Sequence, residues 1–229
     1  MGTLYLVRHG QASFGAADYD QLSPLGARQC HALGAWMARR GLVFEAVLRG
    51  SLRRHEQSLS ALMDGYGTAA NASTTLPEAL LWPGLNEYDG EALVRSVAPG
   101  PALDAYSPEG YRQHFRLLRL GMARWMEGLS QPPGMPSYSD WVAGIVGALD
   151  HVRQQHSGDV LMITSGGPIA TAVATVLGAP PATSIELNLR IRNSALTEFA
   201  FTPKRHMLVS YNHLPHLDDP ARADWVTYS

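Results

Sequence analysis

Apolar and polar positions follow two rhythms along this chain, and the changes of rhythm mark its elements. The run Leu4-Tyr5-Leu6-Val7 is short and β-prone and is followed by Gly10, which predicts a buried strand ending in a loop. Ser23-Pro24-Leu25-Gly26 supplies a capping residue and a proline suited to a first helical turn. Cys30, Leu33 and Met37 then recur at helical spacing up to Gly41, so a helix covering the sheet is predicted. A second strand over Ala46–Leu48 leads through Gly50-Ser51 into a helix from about Leu52 to Met63 that carries Arg53, Arg54 and Gln57. Between Thr68 and Tyr138 the pattern is broken by eight prolines around one helix near Glu109–Leu129. Regularity returns with a helix over about Tyr138–Gln155, a strand over Asp159–Thr164, the loop Ser165-Gly166-Gly167, and a helix opened by Pro168 that ends near Gly178. Two last strands are predicted at Ala195–Phe201 and His206–Tyr211, either suited to an antiparallel edge.

Repeated strand, loop and helix units predict an α/β fold, a three-layer αβα sandwich around a mostly parallel central sheet. One domain spanning residues 1–229 is expected, with a cap-like insertion at about 68–138. In such sheets the chemistry gathers where parallel strands end.

Charge narrows the partners. The formal net charge is -2 with a pI near 6.5, and acidic and basic residues are interspersed, which argues against nucleic acid and anionic membrane and for a small polar ligand. Cys30, the one cysteine, excludes an intramolecular disulfide and reads as a small buried hydrophobe. The apolar run before Arg8 is too short for a signal peptide or a membrane span, and Leu6 stands where a myristoylation signal needs Ser or Thr. A cytoplasmic protein is expected, and a homodimer stays open.

Arg8-His9-Gly10 directly follows the first strand, so a cation, an imidazole and a glycine are held where backbone amides can face a ligand. Arg54 also follows a strand, and two converging guanidinium groups suit phosphate oxygens, which they bind in a bidentate fork. Leu4-Tyr5-Leu6-Val7-Arg8-His9-Gly10-Gln11 resembles the opening signature of the histidine phosphatase superfamily, also called phosphoglycerate mutase-like. Leu22-Ser23-Pro24-Leu25-Gly26 with Gln29 is similar to its first helix start, and Asn212-His213-Leu214-Pro215-His216-Leu217 to its C-terminal segment. Leu52-Arg53-Arg54-His55-Glu56-Gln57-Ser58 resembles the segment whose arginine binds phosphate, which assigns that role to Arg54 with Arg53 as its neighbour. Leu85-Asn86-Glu87-Tyr88-Asp89-Gly90 resembles the stretch that supplies the acidic residue, which makes Glu87 the proton donor.

The resemblance implies a phosphatase acting on a small phosphorylated metabolite, with inorganic phosphate as product and no metal or cofactor. Neutral His9 attacks phosphorus, Glu87 protonates the leaving oxygen, and Arg8 and Arg54 hold the phosphoryl oxygens; Ser165 and Gly166, read as a helix N-terminus with free amides and a positive dipole, are expected to join them. The arginines should keep His9 neutral, its other nitrogen should donate to a backbone carbonyl, and burial should raise Glu87 so that it begins protonated. At one place the chain departs from the family. Ile163-Thr164-Ser165-Gly166-Gly167-Pro168-Ile169 lies where the superfamily usually has a second histidine before glycine, and that position is Ser165. Exchanging a charged donor for a neutral hydroxyl slows the chemistry by about ten- to a hundredfold, since charged hydrogen bonds contribute about 1.5–3 kcal/mol and neutral ones about 1.

Competing readings remain at this level. Ser165 could cap its helix only; the chain could bind a phosphorylated ligand without turnover; or Ser165 could be a hydrolase nucleophile served by a downstream Asp and His216, although Ile163 stands where a nucleophile elbow needs glycine. Mutase activity is disfavoured because Gln11-Ala12-Ser13-Phe14-Gly15 lacks the longer mutase signature. His213, His216, Asp218 and Asp219 lie in a proline-broken tail without a supporting cluster, so no metal is expected.

Overall fold

The computed structural model describes residues 1–13, 20–69, 75–100 and 107–228. Phe14 and Gly15 of the mutase comparison lie outside the described residues, as does part of the proline-rich stretch.

The first strand, β1 (Gly2–Arg8), lies inside a six-stranded sheet with β2 (Phe44–Arg49), β3 (Ala79–Leu81), β4 (Asp159–Thr164), β5 (Leu196–Thr202) and β6 (Arg205–His213). The order across the sheet is β3-β2-β4-β1-β5-β6. The first four in that row are mutually parallel, while β5 and β6 run antiparallel at one side. Helices α1 (Pro24–Arg39), α2 (Arg53–Ala69), α3 (Gly90–Val97), α4 (Pro108–Met126), α5 (Tyr138–Gln155), α6 (Gly166–Val176) and α7 (Thr183–Asn188) complete the described regular structure, with two short 3-10 turns.

Side-chain alternation explains the layers. Successive residues of a strand face opposite sides of a sheet, and β1 sends Leu4 and Leu6 into one core and Tyr5 and Val7 into the other. Strand β4 divides the same way, Val160 and Met162 against Leu161 and Ile163. One core is completed by Cys30, Leu33 and Met37 of α1 with Leu59 and Leu62 of α2, the other by Ile145 and Leu149 of α5 with Ile169 and Val173 of α6. Strands buried on both faces read as continuous apolar runs, which is why they stand out in the sequence.

Local signals set several boundaries. Ser23 Oγ accepts from the Gly26 amide at 3.0 Å, and Pro24 opens α1. Helix α6 begins at Gly166, two residues ahead of Pro168, which leaves the proline in the first turn where a missing N–H costs nothing. In the proline-rich stretch the described residues form two helices and an edge strand, more order than the prolines suggest. Asp89 caps α3 by accepting from the Ala92 amide at 2.9 Å, and β3 pairs with β2 in parallel. Leu93 and Trp125 from this stretch are buried in the same core as α5 and α6. No described helix is long and apolar enough to cross a membrane.

The loop after β1 is pressed onto the start of α1. A Cβ built on Gly10 would stand 2.3 Å from the Gly26 carbonyl oxygen, a backbone atom that cannot swing aside. Gly10→Ala is therefore expected to cost about 1–3 kcal/mol of stability through forced backbone displacement, seen as a lower urea midpoint at unchanged slope. An unchanged midpoint would show that this approach is loose.

Candidate active site

Strands β2, β4 and β1 are neighbours in the sheet and end at the same edge, so the segments that follow them meet there. His9 follows β1, and its amide donates to the Thr164 carbonyl at the end of β4 at 2.9 Å, while its own carbonyl accepts from the Ser194 amide at 3.1 Å. The backbone is thus pinned on both sides of an imidazole that is only 3% exposed. His9 Nδ1 lies 2.7 Å from the Gly10 carbonyl oxygen. A carbonyl accepts only, so Nδ1–H is the donor and the lone pair of neutral His9 sits on Nε2. Burial, then the Arg54 and Arg8 guanidinium groups, holds the His9 pKa well below its ordinary 6.5. The Gly10 contact opposes this but does not reverse it.

The two arginines are anchored differently. Arg8 Nη1 donates to the Ile191 carbonyl at 2.6 Å and to the Tyr228 carbonyl at 3.0 Å. Arg54, in the first turn of α2 and 7% exposed, donates through Nη1 to Asp20 Oδ1 at 2.8 Å. The Asp20 carboxylate also accepts from the Arg53 amide at 2.8 Å, capping α2 while orienting Arg54. Sequence reasoning gave Asp20 no role, because nothing local links it to a helix more than thirty residues away.

Glu87 reaches the same edge from the loop before α3. Its Oε2 accepts from the Gly167 amide at 3.0 Å and its Oε1 from the Tyr88 amide at 3.3 Å. Burial raises its pKa above the ordinary carboxylate value, against the lowering effect of these amides and of Arg54 and Arg8. Gly167 is small of necessity, since a Cβ there would stand 2.1 Å from Glu87 Oε1. The first turn of α6 thus holds the carboxyl group in place, and Gly166 begins that turn, buried against Asn188 and Ile191.

Ser165 precedes α6 and is completely buried, yet its side chain makes no capping bond. Its Oγ lies instead 2.7 Å from His55 Nε2, so a role as mere helix cap does not describe it. His55 is also completely buried, and its ring centroid is 5.9 Å from that of His9. This second imidazole, like Asp20, is a residue that sequence reasoning passed over. Its only local signal is its place directly after Arg54 at a helix start.

His216 is hydrogen-bonded to a serine other than Ser165. It follows β6, and its Nε2 lies 2.9 Å from Ser194 Oγ, which corrects the pairing considered for a serine nucleophile. Asp219 accepts from the Ala221 amide, capping the last 3-10 turn, and the described residues contain no group of three or more His, Cys, Asp or Glu side chains suited to a metal.

Residues 110–214 match the histidine phosphatase superfamily (branch 1). That span runs from α4 through Ser165 to the end of β6 and leaves His9, Arg54 and Glu87 ahead of it. Among solved structures, Bacillus stearothermophilus YhfR is similar with a TM-score of 0.66 at 16% identity, covering 94% of this chain and 99% of that one. A phosphoserine phosphatase variant from Entamoeba histolytica, solved with phosphoserine, has a TM-score of 0.62 at 19% identity and covers 95% and 100%. The mycobacterial glucosyl-3-phosphoglycerate phosphatase has a TM-score of 0.60 at 21% identity and covers 93% and 99%. No curated protein matches the chain in sequence.

Proposed function

We propose that the chain is a member of the histidine phosphatase superfamily, which the match over residues 110–214 and the shared fold support, and that it is a phosphatase hydrolysing a small phosphate monoester through a phosphohistidine on His9. The observation that carries this reading is the Nδ1–H bond from His9 to the Gly10 carbonyl, which leaves Nε2 as a lone pair beside two guanidinium groups.

In the first step Nε2 attacks phosphorus, the bond from phosphorus to the ester oxygen breaks, and the leaving oxygen takes the proton of Glu87. In the second, water attacks the phosphohistidine, gives its proton to the Glu87 carboxylate, and releases phosphate, restoring both residues. Arg8 and Arg54 balance the charge that spreads over the phosphoryl oxygens, with the Ser165 hydroxyl and the Gly166 amide completing their surroundings. Similarity to proteins named for phosphoserine and glucosyl-3-phosphoglycerate favours a small phosphorylated metabolite. Binding of a phosphorylated ligand without turnover is the second reading, motivated by the neutral hydroxyl of Ser165.

Mixing the protein with excess p-nitrophenyl phosphate and quenching in alkali tests the covalent step, because phosphohistidine survives base and is lost in acid. Mass spectrometry is expected to find a phosphoryl group on the peptide carrying His9. Released nitrophenol without any such peptide would overturn the intermediate, and neither product would leave the binding reading.

A further inference from the structure

His55 is buried with no described use in folding that would demand an imidazole. It lies in the first turn of α2, after β2, whereas Ser165 follows β4 and His9 follows β1, three adjacent strands. Its ring therefore reaches across the end of β4 toward β1, which places Nε2 at 2.7 Å from Ser165 Oγ and the two ring centroids at 5.9 Å. Ser165 is the next residue after the pair Arg8 and Thr164, which are partners in register, and so stands beside His9.

The protonation state follows from the partners. His55 Nδ1 is buried without a hydrogen-bond partner among the described residues, facing Gly50, where a Cβ would come within 2.3 Å of it. A buried N–H left unpaired costs about 1–3 kcal/mol, so the single proton of a neutral ring belongs on Nε2, donated to Ser165 Oγ. Burial, with Arg54 and Arg49 nearby, pushes the His55 pKa down to about 3 and so keeps the ring neutral. Ser165, already accepting from His55, has its own hydroxyl proton left to give.

Resting on the phosphatase reading above, we propose that His55 is a positioning residue that donates to Ser165 and thereby directs the Ser165 hydroxyl onto a phosphoryl oxygen of the group held at His9. Two donors in series polarise one another, so the outer hydroxyl is a stronger donor than a lone serine. No proton changes owner in this arrangement, and no bond to Ser165 forms. The pair supplies an imidazole at the place where the family resemblance expects one, carried by α2 instead of by the residue that follows β4. A nucleophilic Ser165 activated by His55 is the rival reading of the same 2.7 Å contact. It is disfavoured because His55 Nδ1 has no hydrogen-bond partner among the described residues to orient the ring as a general base.

The test compares wild type, His55→Ala, and the double variant His55→Ala with Ser165→His, which moves the imidazole from α2 to the residue that follows β4. Turnover of p-nitrophenyl phosphate and affinity for inorganic vanadate are both measured, and thermal melting checks that each protein is folded. His55→Ala is expected to lower kcat by about tenfold to a hundredfold with less than about threefold change in KM, and to weaken vanadate binding by about tenfold. The double variant is expected to recover most of both losses, which a merely space-filling His55 would not produce. Wild-type kcat and vanadate affinity in a folded His55→Ala protein would overturn the proposal and leave the phosphatase reading intact. So would losses that the folded double variant fails to recover, or covalent labelling of Ser165 by a fluorophosphonate. If wild type lacks turnover but binds vanadate, and both variants follow the expected order of affinity, the phosphatase reading fails while the role of His55 stands.

Discussion

Replacing His9 by alanine is expected to lower kcat for p-nitrophenyl phosphate by on the order of 10⁴ or more, to the background of the assay. The reason is geometric. The His9 amide and carbonyl are tied to Thr164 and Ser194, and Nδ1 to the Gly10 carbonyl, so Nε2 is held at one position with its lone pair available. Among the described residues no alternative nucleophile is equally prepared: His55 Nε2 carries the proton given to Ser165, and its other nitrogen faces Gly50. Because both backbone bonds of His9 survive the substitution, the protein should still fold, and vanadate should still bind through the remaining donors. Turnover above a tenth of wild type in His9→Ala would remove His9 as the attacking group. The pH profile carries the same assignment. His9 must be neutral to attack, and burial with Arg54 and Arg8 lowers its pKa, so the nucleophile is available throughout neutral pH and is lost only as pH falls through that lowered value.

Glu87→Gln is expected to separate substrates by their leaving groups. With an alkyl phosphate the departing alkoxide needs a proton, and loss of the acid should lower kcat/KM by on the order of 10²–10⁴. Nitrophenolate leaves without help, so the aryl ester should lose less than about tenfold in phosphoryl transfer, measured as the burst of nitrophenol. Glutamine keeps an oxygen for the Gly167 amide, which limits disturbance of the α6 turn. The sign of the pH effect is opposite to that of His9. Burial raises the Glu87 pKa, and the acid form is lost as pH rises through that raised value, so the wild-type rate on alkyl esters should fall on the alkaline side. Glu87→Gln should abolish that fall along with most of the rate. Equal losses on alkyl and aryl esters would show that Glu87 holds the site together without donating a proton.

These expectations depend on residues of very different legibility. Helix α5 and strand β4 occupy the limits that pattern reading predicts, Tyr138–Gln155 and Asp159–Thr164. Their signals are local and strong, a serine cap before α5 and an unbroken apolar run in β4. Strand β3, with three residues, and helix α7, with six, are too short to show a period, and they form because the β2 edge and α6 lie beside them. Helix α3 depends on the Asp89 cap and on Leu93 finding a core shared with α4 and α5. The division in the site follows the same logic. Arg8, His9 and Gly10 are contiguous, so their joint presentation at the end of a strand is written in the order of residues. The contact between His55 and Ser165 joins positions 110 residues apart. Asp20 reaches Arg54 across 34.

The sequence by itself determined the alternation of buried strands with amphipathic helices and the turn that presents Arg8, His9 and Gly10 after β1, because these rest on periodicity and on neighbours along the chain. Only the tertiary structure decided that the residue after Arg54 faces the hydroxyl after β4. Burial and hydrogen-bond partnership depend on which strands lie side by side, and the order β2-β4-β1 is a property of the packed sheet, absent from any one segment.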